Sequence, residues 1–195
     1  MSEPTRLLFI AGSARSGSFN KKVARLGAQI AQANGITSTF ADLGDYPMPV
    51  YDGDLEAGEG PPENARKLKA LFQLHTGILI ASPEYNASIS PLLKNTLDWV
   101  SRVREEGEGM NEVYRTRVFA LASASPGGMG GLRGLNTVRH VLEIGLGALV
   151  LPEQIAVPRA ANAFNEDGNL ADEAAQERYK SLIENLARVA KVLHG

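Results

Sequence analysis

The chain has no cysteine. That excludes disulfides, thiolate metal sites and thiol nucleophiles, and it fits a reducing compartment. An excess of one charge is also missing: 20 Lys and Arg stand against 22 Asp and Glu, a net charge of −2. Nucleic-acid binding would need a basic surface, so no nucleic-acid partner is expected. No apolar run approaches the ~18 residues that span a bilayer, so no membrane partner is expected either. Met1 to Arg6 is polar and leads straight into a short apolar stretch, with no long apolar leader and no cleavage-site pattern. A signal peptide is not expected, and the expected location is cytoplasmic. The histidines, His75, His140 and His194, are scattered without metal-ligand spacing, so no metal is expected. His75 ends a helical pattern and reads as a surface residue or a partner of the helix dipole. Glycine alone is in excess: 20 of 195, about 10% against ~7% on average.

The remainder is ordinary globular material, 44% hydrophobic and 22% charged. At roughly 150 residues per domain, the length points to one domain over 1–195. Such a domain buries about 70% of its unfolded surface and needs no staple. No internal repeat or shift in composition divides it.

Periodicity alternates along the chain. Leu7 to Ala11 is a continuous apolar run, which predicts a strand buried on both faces. From Asn20 the spacing becomes helical, with Val23, Leu26, Ile30 and Ala31 on one side and a stop at Asn34-Gly35. Ile36–Ala41 predicts a second strand. A helix carrying Leu68, Leu71 and Phe72 follows Pro61-Pro62, and Gly77–Ala81 predicts a third strand. Pro91 opens a helix with Leu93, Leu97 and Val100. Val118–Ala122 predicts a fourth strand, Leu132–Ile144 a helix, and Ala148–Leu151 the start of a fifth strand. A stripe from Tyr179 to Leu193 predicts the last helix. Strands alternating with helices give an α/β fold, a doubly wound parallel sheet covered on both faces. The expected order for five strands is 2-1-3-4-5, as in flavodoxin-like proteins. Gly44–Pro62, Arg104–Thr116 and Pro158–Asp172 read as long loops.

Ligands of such sheets bind beyond the carboxyl ends of the strands, at the switch point. The informative segments therefore follow strands 1, 3 and 4. After strand 1 comes Gly12-Ser13-Ala14-Arg15-Ser16-Gly17-Ser18-Phe19-Asn20. Three hydroxyls, a guanidinium and free backbone N–H groups before a helix N-terminus suit a phosphate. A plain turn with a serine cap needs one hydroxyl, not three and an arginine. Gly12 and Gly17 have P-loop spacing, but Ser18-Phe19 stands where Lys-Ser/Thr would be. Ala14 stands where a dinucleotide fingerprint has glycine. A terminal monophosphate, hence a mononucleotide, fits better.

After strand 3 comes Ser82-Pro83-Glu84-Tyr85-Asn86-Ala87-Ser88. Tyr85 offers an apolar plane with a polar tip, and Asn86 can read the edge of a heterocycle; Glu84 could equally cap a turn. After strand 4 comes Ser123 to Gly131, whose four glycines suggest backbone lying close to something flat. Together the three segments describe a phosphate pocket beside a flat, polar-edged slot, the footprint of FMN.

The first segment resembles the G-S-x-R-x-x-S-x-N phosphate motif of the NADPH-dependent FMN reductase family, which includes quinone, chromate and azo reductases. Ser82 to Ser88, with Leu93-Lys94-Asn95 and Asp98-Trp99, resembles that family's S-P-E-Y-N-x-S … L-K-N-x-x-D-W signature, and Ser125 to Gly131 its Gly-rich flavin loop. The resemblance implies FMN phosphate contacts from Ser13, Arg15, Ser18 and Asn20, within a loop that also holds Ser16, Gly17 and Phe19. It implies ring and ribityl contacts from Pro83, Glu84, Tyr85, Asn86 and Ser125. It places Asp98 and Trp99 on a helix near a subunit interface, in a homodimer or homotetramer, so that Trp99 packs. Ser90-Pro91 departs from the Pro-Gly of many members, and Gly44 to Gly60 has no strong match.

The implied activity is hydride transfer from NADPH or NADH to FMN, then two electrons to a quinone, azo compound, chromate or free flavin, by a ping-pong mechanism. The flavin carries that chemistry, so no catalytic side chain is expected. No G-x-S-x-G elbow follows any strand, which disfavours a serine hydrolase. The alternative is a non-enzymatic FMN-binding electron carrier or flavin sensor. Carriers often have strongly acidic surfaces, and a net charge of −2 favours the reductase.

Overall fold

The computed structural model describes residues 5–194; Met1 to Pro4, where the polar start was read, lie outside the described residues. Five parallel strands form one sheet in the order β2-β1-β3-β4-β5. They are β1 (Arg6–Ala11), β2 (Thr37–Asp42), β3 (Gly77–Ala81), β4 (Val118–Ala124) and β5 (Leu149–Val157). The helices are α1 (Phe19–Ala33), α2 (Gly53–Glu59), α3 (Glu63–Leu74), α4 (Pro91–Arg102), α5 (Glu112–Arg115), α6 (Leu132–His140) and α7 (Glu173–His194). The flavodoxin-like order expected from the alternating periods is the one observed.

The two faces follow from strand alternation. Leu7 and Phe9 of β1 point to one side, where Val23 and Leu26 of α1 and Tyr179 and Leu186 of α7 cover them. Leu8 and Ile10 point to the other, against Leu68 and Phe72 of α3, Leu97 of α4 and Leu135 of α6. Central strands covered on both sides have no polar face, which is why they read as continuous apolar runs.

Three departures have local causes. The Gly44–Pro62 segment contains α2, which buries no residue and so carries no apolar stripe; the Asp52 carboxylate caps it by accepting from Asp54 and Leu55 N–H. Arg104–Thr116 likewise contains the single turn α5. The fifth strand runs on to Val157 through Pro152 and Glu153, its register against β4 shifting between Phe119 and Leu121. Proline is tolerated there because β5 is an edge strand.

Neither long segment is a loose excursion. Trp99 is fully buried, donating its indole N–H to Pro49 O (2.8 Å) and meeting Tyr51 edge-on at 5.0 Å. Asn95 of α4 holds the same strap through Tyr51 N–H (2.8 Å) and Pro49 O (2.9 Å). Arg102 reaches across to Glu56. In the second segment, Glu108 accepts from the buried Lys69 and from Gln73 of α3. The helical face around Trp99, placed near a subunit interface by resemblance, is covered by this chain's own strap.

His75 is not a surface residue. It is 4% exposed, with Nδ1 2.6 Å from Leu71 O and Nε2 2.9 Å from Thr39 Oγ1, and it joins the end of α3 to β2. The sequence pattern does not reveal this because Thr39, which holds Nε2, lies on β2, 36 residues upstream. Burial pushes its pKa below the ordinary value, outweighing the Leu71 hydrogen bond. The unfolded chain therefore takes up this proton at a higher pH than the native one. The resulting stability is present above about pH 6.5 and is lost as pH falls through the lower native value. Urea midpoints measured at pH 7.5 and 5.5 should fall less in His75→Gln than in the parent; an equal fall would remove His75 from the acid sensitivity.

Candidate functional site

The carboxyl ends of β1, β3 and β4 lie side by side, and their exit loops are tied together by side chains. Ser90 caps α4 by accepting from Leu93 N–H (3.2 Å) and donates to Gly12 O (2.7 Å), joining the first loop to the second. A Cβ on Gly12 would stand 3.1 Å from Leu93 Cβ and 3.2 Å from Pro83 Cδ, so β1 leaves the sheet in close contact with both neighbours. Asn20, buried in the first turn of α1, donates to Ala124 O (2.9 Å) and accepts from Ala124 N–H (3.0 Å). Ser123 donates to Gly130 O (2.7 Å), folding the Gly-rich loop back on its strand. Gly130 has φ +63°, and a Cβ there would come within 2.8 Å of the Val157 and Pro158 backbone, so this loop cannot lie against β5 with any other residue.

These ties enclose a cavity of about 210 Å³. From the first loop it is lined by Ser13, Arg15, Ser18, Phe19 and Asn20. Pro83, Glu84 and Tyr85 line it from the second, and Ala124, Ser125 and Pro126 from the third. The structure thus brings residues from all three predicted loops into one space. Ser16 and Gly17 face solvent at the tip of the first loop, and Asn86 sits exposed on the next turn; none of these three lines the cavity.

The inner end could hold an anion. Ser18 is the N-cap of α1, yet its hydroxyl makes no capping bond, and no acidic residue stands in the first helical turn. Arg15 forms no ion pair among the described residues, so its guanidinium opposes no carboxylate. Hydroxyls, a cation and the positive helix end therefore converge without internal competition. Lys21, which the sequence pattern did not single out, stands behind the loop. It pairs with Asp42 (2.6 Å) and donates to Ala14 O (3.0 Å), so it supports the loop rather than the ligand. At ~300–1,000 Å³, sites for drug-sized ligands exceed this cavity, which has room for only part of such a molecule.

The outer wall rests on an ion pair that carried no signal in the sequence. Glu84 accepts from Arg133 Nε (2.8 Å), from Arg133 Nη2 and from Gly134 N–H (3.1 Å). Burial would push its carboxyl up, but the Arg133 and Gly134 donors outweigh burial and hold it below the ordinary carboxylate range. Tyr85 and Ser88 bond each other through both N–H···O pairs at 3.0 Å, which closes a tight turn over Asn86 and Ala87.

Asn20→Ala should destabilise the fold by about 1–3 kcal/mol, since it leaves the buried Ala124 N–H without a partner. Urea unfolding would read this, and an unchanged midpoint would mean that the tie is redundant.

The family described as NADPH-dependent FMN reductase matches residues 5–162. The quinone reductase of Escherichia coli is 33% identical over 151 residues, 77% of this chain and 76% of that protein. An NAD(P)H-dependent FMN reductase of Pseudomonas aeruginosa is 30% identical over 196 residues and covers both chains fully. In fold, the chain matches the flavoenzyme NAD(P)H:(acceptor) oxidoreductase FerB of Paracoccus denitrificans, with a TM-score of 0.77, 24% identity, and coverage of 98% of this chain and 99% of that one. With the family match spanning most of its length and the switch-point loops shaped as described, the chain belongs to the NADPH-dependent FMN reductase family.

Proposed function

We propose that this protein is an FMN-dependent NAD(P)H oxidoreductase acting on quinones, with Ser13, Arg15 and Ser18 holding the FMN phosphate and Pro83, Glu84, Tyr85 and Ser125 flanking the ring and ribityl chain. The observation that carries this reading is the cavity at the α1 N-terminus, where an uncapped serine, an arginine without an ion pair and an acid-free first turn meet. Family membership supports FMN as the resident group and NADPH or NADH as the donor. When bound, FMN supplies the two-electron chemistry between the nicotinamide and the acceptor.

The chain's own task is to bind and orient. Arg15 offers up to two parallel N–H donors to phosphate oxygens, and the Ser13 and Ser18 hydroxyls add directed bonds. Asn20, with both ends on Ala124, positions the third loop and keeps one amide hydrogen for the ligand. Ser16, Gly17 and Phe19 belong to the same loop; Phe19 fills the cavity wall, and the two exposed residues shape the turn. Asn86 reaches a ring edge only from outside the cavity. Tyr85 and Met129 are exposed apolar side chains on the second and third loops, which supports a flat aromatic acceptor. Donor and acceptor would use that one face in turn, hence ping-pong kinetics. The relatives' names favour quinones over azo compounds, chromate or free flavin. The resemblance supports a homodimer or homotetramer, the unbroken composition supports a single domain over 1–195, and the cysteine-free chain suits the reducing cytoplasm. Among the described residues no helix is long and apolar enough to cross a membrane, and no cluster of His, Asp and Glu could hold a metal.

The purified protein should be yellow and should release FMN, not FAD, on denaturation. Arg15→Ala should weaken FMN binding about ten- to hundredfold, the ~1.5–3 kcal/mol of a charge-assisted hydrogen bond, read by flavin fluorescence titration. Equal affinity would take Arg15 out of the phosphate site. Anaerobic NADPH should bleach the flavin within seconds and a quinone should restore its colour; a flavin that stays oxidised favours the electron-carrier alternative.

A further inference from the structure

α6 begins without a cap of its own. Its N-cap, Gly131, has no side chain, lies at φ +92° and is pressed on Ser123, where a Cβ would stand 2.9 Å from Ser123 Cβ. The missing acceptor arrives from another loop. Glu84, 50 residues upstream, accepts from Gly134 N–H in the first turn of α6 and from Arg133 beside it. A carboxylate there also meets the positive end of the helix. The fit is close: a Cβ on Gly134 would lie 3.1 Å from Glu84 Cα and Cβ and 3.2 Å from Ser88 O.

The turn that follows Glu84 is strained. Asn86 and Ala87 both have positive φ, 51° and 62°, and alanine pays roughly 1–2 kcal/mol for that region. Such geometry persists only where the surroundings over-determine it. Here the surroundings are the first turn of α6 and the carboxylate that binds it. Glu84 also lines the cavity, so its negative charge borders the slot while Arg133, more than half exposed, balances it from behind.

We propose that Arg133 and Glu84 form a positioning latch: the pair clamps the 84–88 turn to the start of α6, sets the spacing of the two outer walls of the flavin slot, and neutralises the carboxylate that borders it. This deepens the proposed function and rests on it for the identity of the ligand. Arg133 is a positioning residue and acts through Glu84. Reduction adds electron density to a flavin, so an unbalanced carboxylate at the slot's edge opposes it and a balanced one does not. Lysine keeps the charge but loses the guanidinium fork, whose Nε and Nη2 both donate to the same Glu84 oxygen.

Two measurements on Arg133→Gln, Arg133→Lys, Glu84→Gln and the double variant test this. The first is amide exchange at Tyr85 and Ser88 in flavin-free protein, which needs no assumption about the ligand. Exchange there should quicken about tenfold or more in Arg133→Gln and in Arg133→Lys, as expected when a charge-assisted bond that restrains a local opening is lost. Parent-like exchange in both overturns the latch; if Arg133→Gln does not fold, Arg133→Lys decides alone. The second is the flavin midpoint potential of the FMN-loaded proteins. It should move negative in Arg133→Gln, positive in Glu84→Gln, and return toward the parent in the double variant, while Arg133→Lys stays near the parent. A purely structural pair would move both single variants the same way or neither, and that result overturns the charge-balancing role. A parent protein that binds no FMN would sink the functional reading while leaving the exchange result to judge the clamp.

Discussion

Everything at the working end of this molecule depends on satisfying backbone where the parallel strands stop. A strand leaving the sheet exposes N–H and C=O groups that the ladder no longer pairs, and three neighbouring strands do so in the same small region. Side chains from elsewhere meet that need. Ser90 takes Gly12 O, Asn20 takes both polar groups of Ala124, and Ser123 takes Gly130 O. Each bond is buried, so each is costly to lose, and together they make one rigid rim out of three loops. The hydroxyls and the guanidinium of the first loop are free for a ligand because other residues hold the loop's shape.

The support extends outward in the same manner. Lys21 braces the first loop from behind through Ala14 O and Asp42, and Glu84 braces α6 from the second loop. Four ion pairs among the described residues connect segments distant in sequence. The long excursions follow the rule: Lys69 and Glu108 pin one, and Asn95, Trp99 and Arg102 pin the other. An isolated surface ion pair contributes little, but one that also satisfies backbone amides fixes geometry.

Fold and site were legible to different depths for physical reasons. β1, β3 and β4 announce themselves because burial on both faces leaves no polar alternation, and α7 because its stripe is long. The loop after β1 is legible because its hydroxyl, amide and guanidinium groups form a local cluster, all within Ser13 to Asn20. α2 is not legible, since a helix that buries nothing has no period. The length of β5 is hidden by Pro152 and Glu153, which only an edge strand tolerates. His75 and Arg133 are invisible for another reason: their partners, Thr39 and Glu84, come near only after the sheet is wound. Local chemistry can be read along a chain, whereas tertiary pairing needs the chain to be folded first.

The strap over α4 gives the protein a built-in optical gauge. The chain has a single tryptophan, and that indole is sealed beneath residues 49–51, bonded to one carbonyl and set edge-on to one phenol. Its emission colour and its accessibility to a quencher therefore report on the packing of the strap against α3 and α4, with no second emitter of its kind to blur the signal. Lifting of the 46–62 strap, whether by denaturant, by a bound molecule or by an arriving subunit, would register as a red shift at Trp99.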